Sequence, residues 1–128
     1  MAEVRFLNAD LAHAVHERQL AEHGGLSGIK DDNLLESAIA RPLNMHAYGE
    51  DDLCALAAAY AFGIARNHPF NGGNKRTPWV MARLFLQLNT VVIAFDKEDA
   101  IRTVLALAAG ELSEDSLAAW FRAHVVPG

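Results

Sequence analysis

From Asp52 to about Arg66 the chain is apolar on nearly every side of a helical turn, with small alanines through the run. A helix that is hydrophobic all round has no face to give to water and must be enclosed by other elements. The alanines let those elements approach closely, so this stretch predicts the central buried helix of a helical assembly. The rest of the chain has to supply its neighbours.

It does so as a series of helices joined by short turns. Asn8 can cap a helix that carries Leu11, Ala14, Val15 and Leu20 on or near one face and stops at Gly24 and Gly25. Asp31 can cap a second, running through Leu34, Leu35, Ala38 and Ile39. Proline has no N–H and crowds the preceding turn, so this helix is expected to end before Pro42, with a polar connector leading into the central helix. Beyond it Trp79, Val80, Ala82, Leu84, Phe85 and Leu88 make a fourth helix that stops at Asn89 and Thr90, followed by a short extended piece from Val91 to Phe95. Asp96 caps a helix reaching Gly110, and Ser113, with Glu114 and Asp115 in the first turn, opens the last. The expectation is an all-α bundle of six helices. No internal repeat, low-complexity tract or linker interrupts it, so residues 1–128 are expected to form a single domain.

Composition excludes several classes of function. At 128 residues and 52% apolar content the chain can bury a core without disulfides or a structural metal. Cys54 is the one cysteine, which rules out a disulfide framework or a thiolate-rich zinc site and fits a reducing cytoplasm. Eleven basic against sixteen acidic residues give a net charge of -5, which argues against direct nucleic-acid binding or attachment to an anionic membrane. Neither a signal peptide nor an apolar span of about 18 residues is visible. A soluble cytoplasmic protein is expected.

The chemistry concentrates in residues 68–77, His-Pro-Phe-Asn-Gly-Gly-Asn-Lys-Arg-Thr. An imidazole ionising near pH 6.5 can take a hydroxyl proton at neutral pH, which makes His68 the candidate general base. Pro69 and Phe70 read as scaffolding. A helix start presents unpaired N–H groups and roughly half a positive charge, so it attracts phosphate. Gly73 lets backbone N–H groups approach phosphate oxygens, or serves a turn of positive φ; Asn74 can cap the helix or donate to a phosphate. Lys75 and Arg76, placed on the first helical turn, are unfavourable there unless an anion is bound. Arg83, seven residues after Arg76, extends this patch or pairs with a carboxylate. The segment is not a Walker A loop, because Asn74 stands where that motif needs glycine before the lysine. His13 and His16 read as two surface histidines on a helix rather than a metal site.

The ten-residue string resembles the signature loop of the Fic/Doc superfamily, and its Asn-Lys-Arg-Thr ending resembles the Doc, or death-on-curing, branch. The likeness extends along the chain through His23 to Gly28, Leu34 to Ala38, Arg41 with Pro42, and Phe85 to Asn89. It implies a Fic/Doc-like bundle and a toxin of a bacterial toxin–antitoxin pair. In Fic proteins, which transfer AMP to hydroxyl side chains, the position of Lys75 is usually glycine. The lysine of the Doc branch is associated with ATP bound in reversed orientation and with kinase activity. The resemblance therefore implies that His68 activates a threonine hydroxyl of elongation factor Tu while Lys75 and Arg76 hold the transferred and leaving phosphates of ATP. Arg66 matches a functional arginine position of Doc-like proteins. Tyr48, Gly49 and Glu50 match the flap that positions a target segment between the second and third helices. The antitoxin's C-terminal segment is expected to fold into a groove of the toxin.

Two departures from the family pattern bear on activity. Gly72 stands where the family carries the carboxylate that holds Mg²⁺ between nucleotide phosphates, and Asn71 is a poor substitute. A bridging metal supplies roughly several kcal/mol of charge stabilisation, so loss of its ligand is expected to cripple the reaction. Pro78 replaces a helix former, so the fourth helix is expected to start late or bend. A Fic-type AMP transferase and a catalytically dead antitoxin-binding module are the alternative readings.

Overall fold

The computed structural model describes residues 3–23, 32–67 and 76–127. These form six helices, α1 (Ala9–His23), α2 (Asp32–Ala47), α3 (Leu53–Asn67), α4 (Thr77–Leu88), α5 (Lys97–Ala108) and α6 (Glu114–His124), and no strand beyond an isolated antiparallel bridge between Ile93 and Val125. The fold is all-α, as the periodicity and turns predict.

Helix α3 is the central element. Cys54 through Ala61 are buried without interruption, and α2, α4 and α6 pack around it. Asp52 starts it by accepting the Cys54 N–H on Oδ1 at 2.9 Å, and its other oxygen takes the Arg122 Nε from α6 at 2.6 Å. Cys54 is packed in the core, and burial pushes its thiol pKa up. The Tyr60 hydroxyl accepts the Leu7 N–H at 2.9 Å, joining the N-terminal segment to the middle of α3.

Three helices end in the same hydrogen-bonded reversal, in which two successive N–H groups bond back to carbonyls of the last turn. Gly49 and Glu50 close α2 in this way, Thr90 and Val91 close α4, and Gly110 and Glu111 close α5. The residue that must take positive φ is glycine at 49 and 110 (φ 109° and 76°), but a β-branched threonine at 90 (φ 61°). At the other ends, the Asn8 side chain accepts the Leu11 N–H and the Ser113 hydroxyl accepts the Ser116 N–H, as expected; Asp96 precedes α5 without a capping bond from its side chain. Asp31 lies outside the described residues.

Four expectations are corrected. Helix α2 does not stop before Pro42 but runs through it to Ala47, because Pro42 is fully buried against the core and that packing outweighs the lost N–H. The buried stripe of α1 is Ala12, Val15, His16 and Gln19, leaving Ala14 exposed. His16 is therefore not a surface histidine: it is 2% exposed, with Nδ1 3.4 Å from the Thr77 hydroxyl of α4. Helix α4 starts at Thr77, so Arg76 is its N-cap residue and not part of its first turn. Pro78 sits in that first turn, where a missing N–H removes no helical bond.

Candidate functional site

Helix α3 ends at Asn67 and α4 begins at Thr77, so the two fixed ends of the signature segment belong to the two helices most tightly packed at the centre of the fold. His68, Gly72, Gly73, Asn74 and Lys75 lie outside the described residues. Their anchors do not. Asn67 donates from its side-chain amide to the Leu34 carbonyl at 3.0 Å, which pins the end of α3 to the start of α2. Thr77 is 1% exposed against α1, and the Arg76 carbonyl accepts the Val80 N–H at 2.9 Å.

Among the described residues the first turn of α4 carries no negative charge. Arg76 is exposed and makes no side-chain capping bond. Helix starts elsewhere in the fold are treated differently: α5 has Glu98 and Asp99 in its first turn, and α6 has Glu114 and Asp115. The positive end of the α4 dipole is thus left for an external anion or for residues of the preceding segment.

Beside the end of α3 lies a cleft of about 990 Å³. One wall is α2, where Ser37, Arg41, Asn44 and Tyr48 recur at helical spacing; the other is Phe62, Gly63, Arg66 and Asn67 of α3. The structure brings the predicted Arg66 and the predicted flap residues Tyr48, Gly49 and Glu50 to the lining of this one cleft. Tyr48 is 92% exposed at its rim. Gly49 holds the reversal at the end of α2, and the Glu50 backbone carbonyl lies 2.9 Å from His46 Nδ1. The Arg66 guanidinium lies 5.3 Å from the Phe62 ring centre, a cation–π distance. Phe62 and Arg66 also line a second cleft of about 660 Å³ whose far side is the turn from α5 to α6.

Arg41 is held by two bonds to the Glu114 carboxylate, 2.9 Å from Nε and 2.6 Å from Nη2, which raise its pKa above the ordinary guanidinium value. That pair ties α2 to the start of α6 and fixes one polar corner of the cleft. Among the described residues Arg83 forms no ion pair with a carboxylate. Its guanidinium sits 5.0 Å from the Phe95 ring centre instead.

Ser37, Asn44, Phe62 and Asn67 are cleft residues that the sequence reading did not select. The signal was present in the spacing of 37, 41, 44 and 48, which share a face only if α2 continues past Pro42. No group of three or more metal-binding side chains occurs among the described residues. For a nucleotide-bridging Mg²⁺, the donor set is short by chemistry, since Gly72 has no side chain and Asn71 offers a neutral amide.

A sequence profile of the Fic/DOC family matches residues 6–86. A protein named "Protein kinase doc" from Escherichia phage P1 is 35% identical over 116 residues, covering 90% of this chain and 91% of that protein. A protein named "Toxin Doc" from Mycolicibacterium smegmatis is 40% identical over 101 residues, covering 75% of this chain and 77% of that one.

Proposed function

The chain belongs to the Fic/DOC family, and from that premise we propose that it is a Doc-type toxin of a toxin–antitoxin pair, whose reaction moves the γ-phosphoryl group of ATP to a threonine hydroxyl of elongation factor Tu. The observation that supports the phosphoryl chemistry is the start of α4, which among the described residues has neither a capping side chain nor a carboxylate in its first turn and follows directly on Asn74, Lys75 and Arg76. Those residues, with Gly73, hold the phosphates; Arg66 faces the same end of the fold from α3. His68 takes the hydroxyl proton as the bond from oxygen to phosphorus forms and ADP departs. The cleft above Phe62 and Arg66, with Tyr48, Gly49 and Glu50 at its edge, receives the segment of the target that carries the hydroxyl.

Gly72 lowers this activity. The residues present do not fit a tightly held Mg²⁺, and no step of the reaction is assigned to one. Inhibition comes in trans, because these residues include no Ser or Thr followed four places later by Glu and then Gly or Asn, the pattern of self-inhibiting Fic proteins, and as in Doc-like systems a cognate antitoxin binds through its C-terminal segment. The same Gly72 favours a second reading, a module that keeps antitoxin contacts and has lost catalysis.

The test incubates the protein and its Gly72→Asp variant with Mg²⁺, elongation factor Tu and ATP labelled at the α or the γ phosphate. Transfer of γ label, faster by several orders of magnitude in the Gly72→Asp variant, is the expected outcome. Transfer of α label assigns AMP transfer instead, and silence from both proteins leaves the binding module.

A further inference from the structure

The far end of α4 carries a second, smaller site. Arg83, Leu86 and Gln87 of α4, together with Thr90, Val91, Val92 and Ile93, enclose a cavity of about 170 Å³. Its one charged lining residue is Arg83. The guanidinium rests on Phe95, and its Nε is buried with no hydrogen-bond partner among the described residues. A buried donor left unsatisfied costs about 1–3 kcal/mol, more when charged, so such a group signals an acceptor that arrives from outside.

The backbone next to the cavity is unsatisfied too. Ala94 N–H donates to the His124 carbonyl and Val126 N–H donates to the Val92 carbonyl, which makes Ile93 and Val125 a pair that exchanges no bonds. In such a pair the N–H and C=O of each residue point away from the partner. Those of Ile93 therefore face the opposite edge, where no described residue bonds to them. Val92, beside Ile93, is 58% exposed.

We propose that this edge is a docking site for an extended acidic segment of a partner protein, which pairs its backbone with Ile93 and places one carboxylate in the cavity against Arg83. Main-chain pairing supplies affinity, alternate side chains supply selectivity, and the exposed Val92 offers an apolar contact between the acidic residues. The charge of the occupant follows from the buried, unpartnered Nε of the Arg83 guanidinium and its extended form from the open edge. The site is on the opposite end of α4 from Arg76, so it is occupied independently of the phosphoryl chemistry.

The experiment titrates the ¹⁵N-labelled protein with a capped hexapeptide alternating glutamate and valine, with its lysine counterpart, with the glutamate peptide N-methylated at its valines, and with glutarate alone. The glutamate peptide is expected to bind roughly tenfold more tightly than the lysine peptide, shifting the Arg83 Nε–H and the amides of Val92 and Ile93. N-methylation and glutarate should each weaken binding by a similar factor. The Arg83→Met variant, which keeps its packing on Phe95, should bind both charged peptides alike. Equal affinity of the two peptides for the unaltered protein, or absence of these shifts, overturns the proposal without recourse to any variant. Undiminished binding of the N-methylated peptide rejects the edge pairing, and glutarate binding as tightly as the peptide makes the cavity a small-anion site instead.

Discussion

Replacing Tyr60 with phenylalanine removes one oxygen that acts in two ways. The hydroxyl accepts the Leu7 N–H at 2.9 Å, and the two residues are 0% and 2% exposed. Without it a buried backbone donor is orphaned, which costs about 1–3 kcal/mol. An unfolding entropy of about 2.1 cal/mol/K per residue turns 2 kcal/mol into a fall in Tm on the order of 7 °C for a chain of 128 residues. The second effect has the opposite sign. Burial pushes the Tyr60 phenol up to about 12, with the bond from Leu7 offsetting part of the rise. In the unfolded chain a phenol ionises near 10. The native state thus keeps a proton that the unfolded state gives up, so the stability due to neutral Tyr60 is whole below about pH 10 and is lost as the pH rises toward about 12. Phenylalanine has nothing to lose there. Urea denaturation of both proteins from neutral pH to about pH 11.5 should show a gap of roughly 2 kcal/mol that narrows by up to about 1.4 kcal/mol per unit once the pH passes about 10. A gap that stays constant with pH refutes the ionisation argument, and no loss at neutral pH refutes the account of the Leu7 N–H.

Thr90 holds a left-handed conformation that β-branched side chains resist, so Thr90→Asn should raise the denaturation midpoint by an amount equivalent to ~0.5–1 kcal/mol, and a lowered midpoint would show that the threonine methyl contributes more than the backbone strain costs. Cys54 is 5% exposed and its thiol is pushed up by burial, so a water-soluble disulfide reagent near pH 8 should react with it only as fast as α3 opens; labelling within seconds under native conditions would show that the start of α3 is looser than its packing implies.

Much of the fold is legible in the sequence because most elements satisfy their local rules. An apolar run without a polar face can only be α3, and Asn8 and Ser113 cap the helices that follow them through bonds of ordinary length. The errors fall where a tertiary contact outweighs a local preference. Nothing local shows that α1 turns His16 and Gln19 inward, since that depends on the face α4 offers. Arg83 looks like an extension of Arg76 at helical spacing, yet Phe95, brought back by the turn after α4, provides a closer partner. The candidate site divides in the same way. Arg66 and the residues from Tyr48 to Glu50 are visible as motif positions, whereas Ser37 and Asn44 join Arg66 in one cleft only when α2 and α3 are packed.

Pro42 and Pro78 show how that packing shapes the site. Pro78 lies in the first turn of α4, where its missing N–H is no loss, and its effect is to let the helix begin at Thr77 with Arg76 as the last residue of the preceding segment. Pro42 lies in the middle of α2 and leaves the Ala38 carbonyl, four residues back, without its usual helical donor. Ala38 faces Gly63 of α3, and a Cβ built on that glycine would stand 3.5 Å from the Ala38 oxygen and 3.4 Å from its Cβ. A Cβ there would make only ordinary van der Waals contact, so the two helices lie against each other at the point where proline has weakened one of them, and the burial of Pro42 in that packing goes with the run of α2 onward to Ala47. Those extra residues place Asn44 and Tyr48 on the same face as Ser37 and Arg41, opposite Arg66. A helix that ended before Pro42 would have left that wall of the cleft unbuilt, so the proline expected to terminate α2 instead precedes the part of it that lines the cleft.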